Sequence, residues 1–269
     1  MRRNLDSHER MTHSKTALAL MAHPDDAEFL CAGTLALLRL KGWRIHIATM
    51  TAGDCGSEQL GPDDISGIRR TEAAQAAALV EGTYHCLESL DGFIAYDRST
   101  SLKAIGLMRA VQPAVVFTHS PQDYLIDHEV TSALARNAAF FAGVPNVKTD
   151  PHPPFRPVPH VYYADALEGK DLLGQPITPS LVADVSLVME TKTRMLMCHA
   201  SQRDWLRKQH GVDEYVDALR TMASQRGRTV GTAFGEGFRQ HLGHGYPHDN
   251  LLRAELGQQV HCLDSPLPP

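Results

Sequence analysis

Short apolar runs alternate along the first half of the chain with longer segments whose apolar residues recur at helical spacing. Four runs predict buried strands, at 16–21, 44–50, 84–87 and 114–118. Four segments predict helices, at 28–41, 68–80, 102–111 and 127–141. This alternation predicts an α/β fold, a Rossmann-like three-layer sandwich with a mostly parallel sheet and right-handed crossovers.

The second half of the chain has a less regular pattern. A proline-rich stretch at 143–159 predicts a loop or linker. Beyond it, strands are predicted at 160–164 and 181–185, and helices at 187–199 and 211–225. We expect a single domain at 15–262 whose C-terminal extension completes the pocket, with a flexible leader at 1–14 and a flexible tail at 263–269.

Composition narrows the class of protein. The net charge of −5 argues against a general nucleic-acid binder, which needs a basic face. No apolar run reaches the length of a membrane-spanning helix, and the first 14 residues lack the apolar core of a signal peptide. Five scattered cysteines without a CxxC pair favour reduced thiols. We therefore expect a cytoplasmic protein that acts on a small molecule. The protein could also form a homo-oligomer.

The strongest chemical signal follows the first predicted strand, where residues 22–28 read AHPDDAE. Open α/β sheets bind ligands beside the carboxyl ends of their strands. Pro24 favours an extended His23, and Asp25 or Asp26 is expected to accept hydrogen bonds from the first helical amides. The segment thus holds one imidazole and two carboxylates on a tight turn, which predicts a functional site.

A catalytic zinc site takes about three protein ligands and keeps one position open. His23 and Asp26 offer a nitrogen and an oxygen, and the loop after the 114–118 run leads to a third candidate, His128. These three residues are predicted to bind one Zn²⁺ per chain, or another divalent transition metal. Asp127, at the start of the next predicted helix, is expected to be its N-cap and to orient a ligand.

Asp25 then has no ligand role. A carboxylate beside such a site can take a proton from water that the metal has acidified. The motif therefore predicts hydrolysis of an amide or an ester, with Asp25 as the general base.

These motifs resemble those of the LmbE-like, or PIG-L, family of zinc-dependent deacetylases, which remove acetyl groups from N-acetylglucosamine-type sugars. The AHPDDE motif of the family is present with Ala27 inserted before the glutamate, and its second motif ends here in Asp127-His128. Weaker similarities lie at 51–54, 69–72, 201–202 and 235–239. The resemblance covers residues 16–240 and implies an LmbE-like fold with the metal ligands and the base given above.

The resemblance also implies that Arg69 and Asp91 contact sugar hydroxyls. Two plainer interpretations stay open. Arg69 and Glu72 are three residues apart on a predicted helix and could form a surface ion pair. Asp91, which precedes Gly92, could belong to a simple turn.

The sequence departs from the family at one position of the second motif. Many members carry a histidine three residues before the final ligand, which is thought to stabilise the oxyanion or to act as an acid. That position is Leu125 here. The candidates to replace that histidine are Tyr124, His119, His241, His244 and His248.

Together these features predict a hydrolase that removes an N-acetyl group from an N-acetylglucosamine-type sugar or conjugate. Asp25 and Asp127 are the predicted catalytic residues, and Arg69, Asp91 and Tyr124 are predicted to bind the amino sugar. One alternative is a zinc amidohydrolase acting on a glycopeptide, a thiol conjugate or a non-sugar amide. A second alternative is a metal- or nucleotide-binding Rossmann-like module without turnover.

Overall fold

The computed structural model describes residues 14–203 and 214–263. Apart from residues 14 and 263, the predicted leader and tail lie outside the described residues. The same is true of residues 211–213 in the predicted helix at 211–225.

The described part of the chain contains an eight-stranded sheet flanked by α-helices. The strands are β1 (Thr16–Met21), β2 (Arg44–Thr51), β3 (Thr83–Ser89), β4 (Val115–Thr118), β5 (His160–Ala164), β6 (Leu181–Asp184), β7 (Gly235–Gln240) and β8 (Val260–Cys262). The helices are α1 (Asp26–Leu30), α2 (Ala32–Leu40), α3 (Pro62–Ala78), α4 (Arg98–Val111), α5 (Ile126–Phe141), α6 (Met189–Met197), α7 (Glu214–Arg228) and α8 (Leu251–Leu256). None of these helices is long and apolar enough to cross a membrane.

The strands lie in the order β3-β2-β1-β4-β5-β7-β6-β8. The first five are parallel to one another, whereas β7 is antiparallel to both β5 and β6, and β8 is antiparallel to β6. The predicted mostly parallel α/β fold is therefore confirmed. The carboxyl ends of β1 and β4, which are neighbours, meet at one edge of the sheet.

Both faces of the sheet are buried, which explains the unbroken apolar sequence of β1. Ala17, Ala19 and Met21 lie in one hydrophobic core, with side chains of α2, α3 and α6. Leu18 and Leu20 lie in the core on the opposite face, with side chains of α4 and α5. Helices therefore cover both faces, as in a three-layer sandwich.

The single helix predicted at 28–41 is two helices. The chain breaks at Cys31, whose φ of −145° and ψ of 2° are not helical. The carboxylate of Glu236 accepts hydrogen bonds from the backbone N–H groups of Gly33 and Thr34 at 2.8 and 2.7 Å. Because these are first-turn amides of α2, the glutamate from β7 acts as the N-terminal cap of that helix.

The helix predicted at 68–80 begins earlier, at Pro62. It therefore contains six residues, 62–67, that the predicted helix did not. A proline in the first helical position, followed by Asp63 and Asp64 in the first turn, is a helix-start signal that the sequence already contained.

No strand was predicted for β7 or β8, and no helix was predicted for α8. The sequence of β7 is GEGFRQ, with one large apolar residue, so it lacks an apolar alternation. Its glycines reflect close packing, since a Cβ atom on Gly237 would lie 2.1 Å from Oδ2 of Asp165. Tertiary contact, rather than intrinsic strand propensity, decides this strand.

The proline-rich segment at 143–159 contains no helix or strand, as predicted. It is fastened by Arg109, a buried residue of α4. The Arg109 guanidinium donates hydrogen bonds of 2.8–2.9 Å to the carbonyl oxygens of Ala142, Val144 and Val147, and to the hydroxyl of Thr149. One side chain therefore donates hydrogen bonds to the free carbonyl groups at the end of α5 and orders the loop that follows it.

We expect Arg109→Met to lower the free energy of unfolding by about 3 kcal/mol, because it leaves buried carbonyl oxygens without donors. Arg98→Met is the matched control, since Arg98 is an exposed residue of the same helix. Urea unfolding of both variants measures the difference. A change below about 0.5 kcal/mol in Arg109→Met would show that the loop does not depend on this side chain.

Two histidines pair at the edge of the sheet. Nδ1 of His46 in β2 lies 3.0 Å from Nε2 of His85 in β3, and the rings stack with centroids 5.2 Å apart. Burial, together with the neighbouring charges of His85 and Arg44, lowers the pKa of His46 to about 4. The unfolded chain binds this proton at about pH 6.5, so the unfolded state holds more protons below that pH. This pair therefore contributes stability that is lost as the pH falls from about 6.5 towards 4.

Replacing His46 with glutamine should make the free energy of unfolding fall less steeply as the pH is lowered from about 6.5 towards 4. The reason is that the proton uptake that favours the unfolded state is removed. Urea unfolding at several pH values between about 4 and 7 measures the slope. His244→Gln, at an exposed position, is the control and should keep the slope of the native protein. Equal slopes in native protein and His46→Gln would contradict the assignment.

Candidate active site

The chain passes from β1 into α1 through a strained turn. Asp25 has a φ of 106°, in the left-handed region, which costs a residue other than glycine about 1–3 kcal/mol. Oδ2 of Asp26 accepts a 2.7 Å hydrogen bond from the backbone N–H of His23 and closes the turn. The predicted capping of α1 by Asp25 or Asp26 is wrong, because neither carboxylate binds the first helical amides. The Asp26 side chain instead folds back over the turn.

The structure brings His23, Asp26 and His128 together. Their ligand atoms all lie within 4.8 Å of one another. Nδ1 of His23 is 3.4 Å from Oδ2 of Asp26, and Nε2 of His128 is 3.5 Å from Oδ1 of the same carboxylate. Two imidazole nitrogens and a carboxylate oxygen are a donor set suited to a divalent transition metal. These three residues could therefore hold such an ion.

The two histidines are each oriented by a carboxylate on the far side of the ring. Nδ1 of His128 is 2.9 Å from Oδ1 of Asp123, and Nε2 of His23 is 3.1 Å from Oδ1 of Asp91. An ionised carboxylate only accepts hydrogen bonds, so these nitrogens carry the protons. The other nitrogens, Nε2 of His128 and Nδ1 of His23, are left facing Asp26, as ligation would require.

Asp127 does not cap α5, so the predicted N-cap is wrong. The N-cap position is Leu125, and Asp127 lies in the first turn. Its buried carboxylate accepts hydrogen bonds from the N–H groups of Gly92 and Ile94 and lies 3.3 Å from Nε2 of His23. Asp127 therefore orients His23, while Asp123 orients His128.

Sequence reasoning missed Asp123, although it lies in the loop that follows β4. The signal that could have found it is a carboxylate five residues before a candidate ligand, in a loop at a strand end. Asp91 reaches the same centre from the loop after β3, where its carboxylate faces His23. This contact favours an orienting role for Asp91 over a simple turn.

Carboxylates and imidazoles at this centre stabilise each other's charged forms. Burial alone would lower the pKa of His23, but hydrogen bonds to Asp127, Asp26 and Asp91 outweigh it and raise that pKa strongly. Burial opposes the charge of Asp26, yet the imidazoles of His128 and His119 hold its pKa well below the usual range. Carboxylates that stay ionised around one centre create a favourable place for a cation.

Asp25 is held from two sides beside this centre. The hydroxyl of Tyr215 donates a 2.5 Å hydrogen bond to Oδ2 of Asp25, and a guanidinium nitrogen of Arg69 lies 3.5 Å from the same oxygen. Burial raises the pKa of Asp25, and the positive charge of Arg69 partly offsets the rise. Tyr215 was not predicted, because it lies on α7, 190 residues from Asp25 along the chain.

Arg69 is buried and binds the turn rather than Glu72. Its guanidinium donates to the carbonyl oxygens of Pro24 at 2.7 Å and Gly53 at 3.4 Å. Gly53 has a φ of 73°, and a Cβ atom there would lie 2.2 Å from Nη1 of Arg69, so the glycine allows the guanidinium to pack against the backbone. Glu72 instead accepts hydrogen bonds from the backbone and hydroxyl of Ser201. The surface ion pair considered from the sequence is not formed.

The candidates to replace the family histidine at Leu125 occupy different places. His119 is fully buried, stacks on His128 with ring centroids 3.9 Å apart, and lies 3.1 Å from Oδ2 of Asp26. His241 forms a hydrogen bond with the hydroxyl of Tyr163. Neither His244 nor His248 belongs to a potential metal-binding group in the described part of the chain.

Tyr124 is the candidate that faces the centre from the open side. The residue is 59% exposed, and its ring meets that of His128 edge-on with centroids 5.4 Å apart. It also lines the cavity over the centre. Tyr124 can therefore reach a molecule bound there.

A cavity of about 400 Å³ opens beside these groups, a size that suits a small-molecule ligand. Its charged lining consists of Asp25, Asp26 and His128. The other lining residues that the structure describes are Phe29, Leu30, Tyr124, Leu167, Tyr215 and Ala218. We refer to this space as the candidate cavity.

Residues 18–139 match the profile of the family described as PIG-L, GlcNAc-PI de-N-acetylase. This part of the chain is thus similar to the PIG-L family. The resemblance inferred from the AHPDD and Asp-His motifs is thereby confirmed.

The chain is also similar to individual proteins over most of its length. It is 26% identical to the diacetylchitobiose deacetylase of Thermococcus kodakarensis, over 84% of this chain and 82% of that protein. The structure of N,N'-diacetylchitobiose deacetylase from Pyrococcus horikoshii superposes with a TM-score of 0.73 at 26% identity, covering 87% of each chain. A third relative, 26% identical over 71% of this chain and 75% of its own length, is the 4-oxalmesaconate hydratase of Pseudomonas putida.

If these residues hold a metal, His128→Ala should abolish tight binding, and Asp123→Asn should weaken it about 10- to 100-fold, because Asp123 fixes the ring of His128. His261→Ala, on β8, is the control. Elemental mass spectrometry after dialysis and a competitive zinc titration measure both effects. Native protein that binds no zinc after incubation with it would contradict the assignment of these three residues as metal ligands. An undiminished metal content in His128→Ala would also contradict it.

Proposed function

We propose that this protein is a metal-dependent N-deacetylase that acts on an N-acetylglucosamine-type sugar or sugar conjugate. The observation that carries the proposal is the convergence of His23, Asp26 and His128, with Asp25, Asp26 and His128 lining the candidate cavity. The names of the deacetylase relatives support the choice of an N-acetyl sugar.

We infer that His23, Asp26 and His128 hold the metal, with Zn²⁺ as the ion that suits two imidazoles and one carboxylate. A bound ion of this kind acidifies water and polarises a carbonyl oxygen. The hydrogen bonds from His128 to Asp123 and from His23 to Asp91 and Asp127 keep the imidazoles in one orientation. Asp127 serves the reaction through His23 and does not line the candidate cavity.

Asp25 is the general base. Its carboxylate lines the cavity next to the ligand Asp26, so it can accept the proton of an attacking water and later deliver it to the leaving amine. A carboxyl group with a raised pKa is a stronger base than an ordinary aspartate. The Tyr215 hydroxyl and Arg69 hold this carboxylate in its strained turn.

Tyr124 is the group on this chain that we assign to the substrate, because its hydroxyl lies on an exposed ring beside His128. It can donate a hydrogen bond to the acetyl oxygen as negative charge develops there, a role that Leu125 cannot fill. Arg69 and Asp91, expected to bind sugar hydroxyls, are engaged with Pro24 and His23. Their role is to position the centre.

The similarity to a hydratase raises a second reaction that also needs activated water, addition of water to an unsaturated acid. Such a substrate carries several carboxylates and requires cationic partners. The described lining of the candidate cavity contains no lysine or arginine. The lining therefore favours the neutral amide over the acid.

Asp25→Asn should lower kcat for N-acetyl sugars by about 10²-fold or more, because the amide cannot accept the proton, and should leave the metal content unchanged. Asp63→Asn, at an exposed position on α3, is the matched control. Release of free amine from N-acetylglucosamine and N,N'-diacetylchitobiose measures turnover, and elemental analysis measures the metal.

Normal turnover in Asp25→Asn would exclude this residue as the base. Native protein that releases no amine from N-acetyl sugars, yet hydrates an unsaturated tricarboxylate with loss of ultraviolet absorbance, would replace the deacetylase by the hydratase.

A further inference from the structure

The lining of the candidate cavity that the structure describes is far less polar than a sugar-binding site requires. Beyond the charged groups Asp25, Asp26 and His128, its described lining is aliphatic or aromatic. The aliphatic part comprises Leu30, Leu167 and Ala218, and the aromatic part comprises Phe29, Tyr124 and Tyr215.

The polar atoms of this lining are mostly committed to other partners. The hydroxyl of Tyr215 donates to Asp25, and the residue is 7% exposed. Among the uncharged side chains of the described lining, this leaves the hydroxyl of Tyr124 as the polar group available to a ligand. Arg69 and Asp91, which would bind hydroxyls in the expected scheme, do not line the cavity within the described residues.

A sugar ring placed against the aliphatic and aromatic part of this described lining would lose the water around its hydroxyls without gaining partners for them there, which is costly. An alkyl or aryl group placed there gains from leaving water and meets side chains of its own kind. The rings of Phe29 and Tyr215, whose centroids lie 5.1 Å apart and which meet edge-on, add a large apolar surface beside Asp25.

We propose that the substrate carries an apolar group larger than the methyl of an acetyl, and that this group fills the candidate cavity while the amide lies between Asp25 and His128. The inference rests on the proposed function and narrows its substrate class. The apolar group has two chemical sources, the N-acyl chain itself or an apolar aglycone on the amino sugar. In either case the sugar hydroxyls lie outside the aliphatic part of the lining.

The test compares two pairs of ligands in isothermal titration, with the zinc-loaded Asp25→Asn variant, so that binding is read without turnover. The acyl pair is N-acetyl- and N-hexanoylglucosamine, and the aglycone pair is the methyl and hexyl glycosides of N-acetylglucosamine. We expect one pair to show tighter binding of the longer member, by about fourfold per buried methylene and at least about tenfold in all.

Two further variants in the same background locate the site of binding. Ala218→Trp fills the cavity and should remove the advantage of the longer ligand. Gln225→Trp, at an exposed position about two turns further along α7, should keep the advantage. In parallel, amine release from N-acetylglucosamine by the native enzyme tests the proposed function separately.

Turnover of N-acetylglucosamine without a chain-length advantage in either pair would overturn the cavity proposal and leave the deacetylase intact. A chain-length advantage that Ala218→Trp does not remove would also overturn it. A cavity-dependent advantage without any amine release by the native enzyme would uphold the apolar site and reject the deacetylase.

Discussion

The carboxylate of Asp26 joins the segments from which the candidate site is built. Its Oδ2 accepts the N–H of His23 at 2.7 Å and lies 3.1 Å from Nε2 of His119, and its Oδ1 lies 3.5 Å from Nε2 of His128. His119 follows β4 and His128 lies in α5, so one side chain links the turn after β1 to both. A buried carboxylate without such partners would be strongly destabilising. The same contacts that make its burial tolerable therefore fix the geometry of the site.

The second half of the chain supports the candidate site, whose ligands lie in the segment that matches the family. Residues 18–139 supply the candidate ligands, the base and the carboxylates that orient the histidines, and groups beyond residue 139 add further contacts. Tyr215 on α7 binds Asp25, and Glu236 on β7 caps α2 while forming a buried ion pair with Lys192 at 2.5 Å. Lys192 also donates to the carbonyl oxygen of Phe29 at the end of α1. These contacts tie the first two helices to α6 and β7.

Local pattern was enough to predict the parallel half of the fold. β1 is buried on both faces and is an unbroken apolar run after Thr16. Three of the four residues of Val115–Thr118 are β-branched, and this strand follows Pro113. The antiparallel half gave no such signal. β7 has two glycines and a buried glutamate, which are stable there because Asp165 and Val182 pack close to its backbone and Lys192 pairs with the carboxylate. Such contacts join residues distant in sequence, so no window along the chain contains them.

For the site, the sequence by itself determined which residues carry the chemistry. An imidazole and two carboxylates within four residues at a strand end, and a second histidine after a neighbouring strand, are local facts that a parallel sheet brings to one edge. Only the tertiary structure decided how each group is held. It assigned Asp123 rather than Asp127 to His128, turned Arg69 towards Pro24, and brought Tyr215 across 190 residues to Asp25. Chemical type follows from the side chain alone, whereas hydrogen-bond partners depend on distances of about 3 Å that folding alone creates.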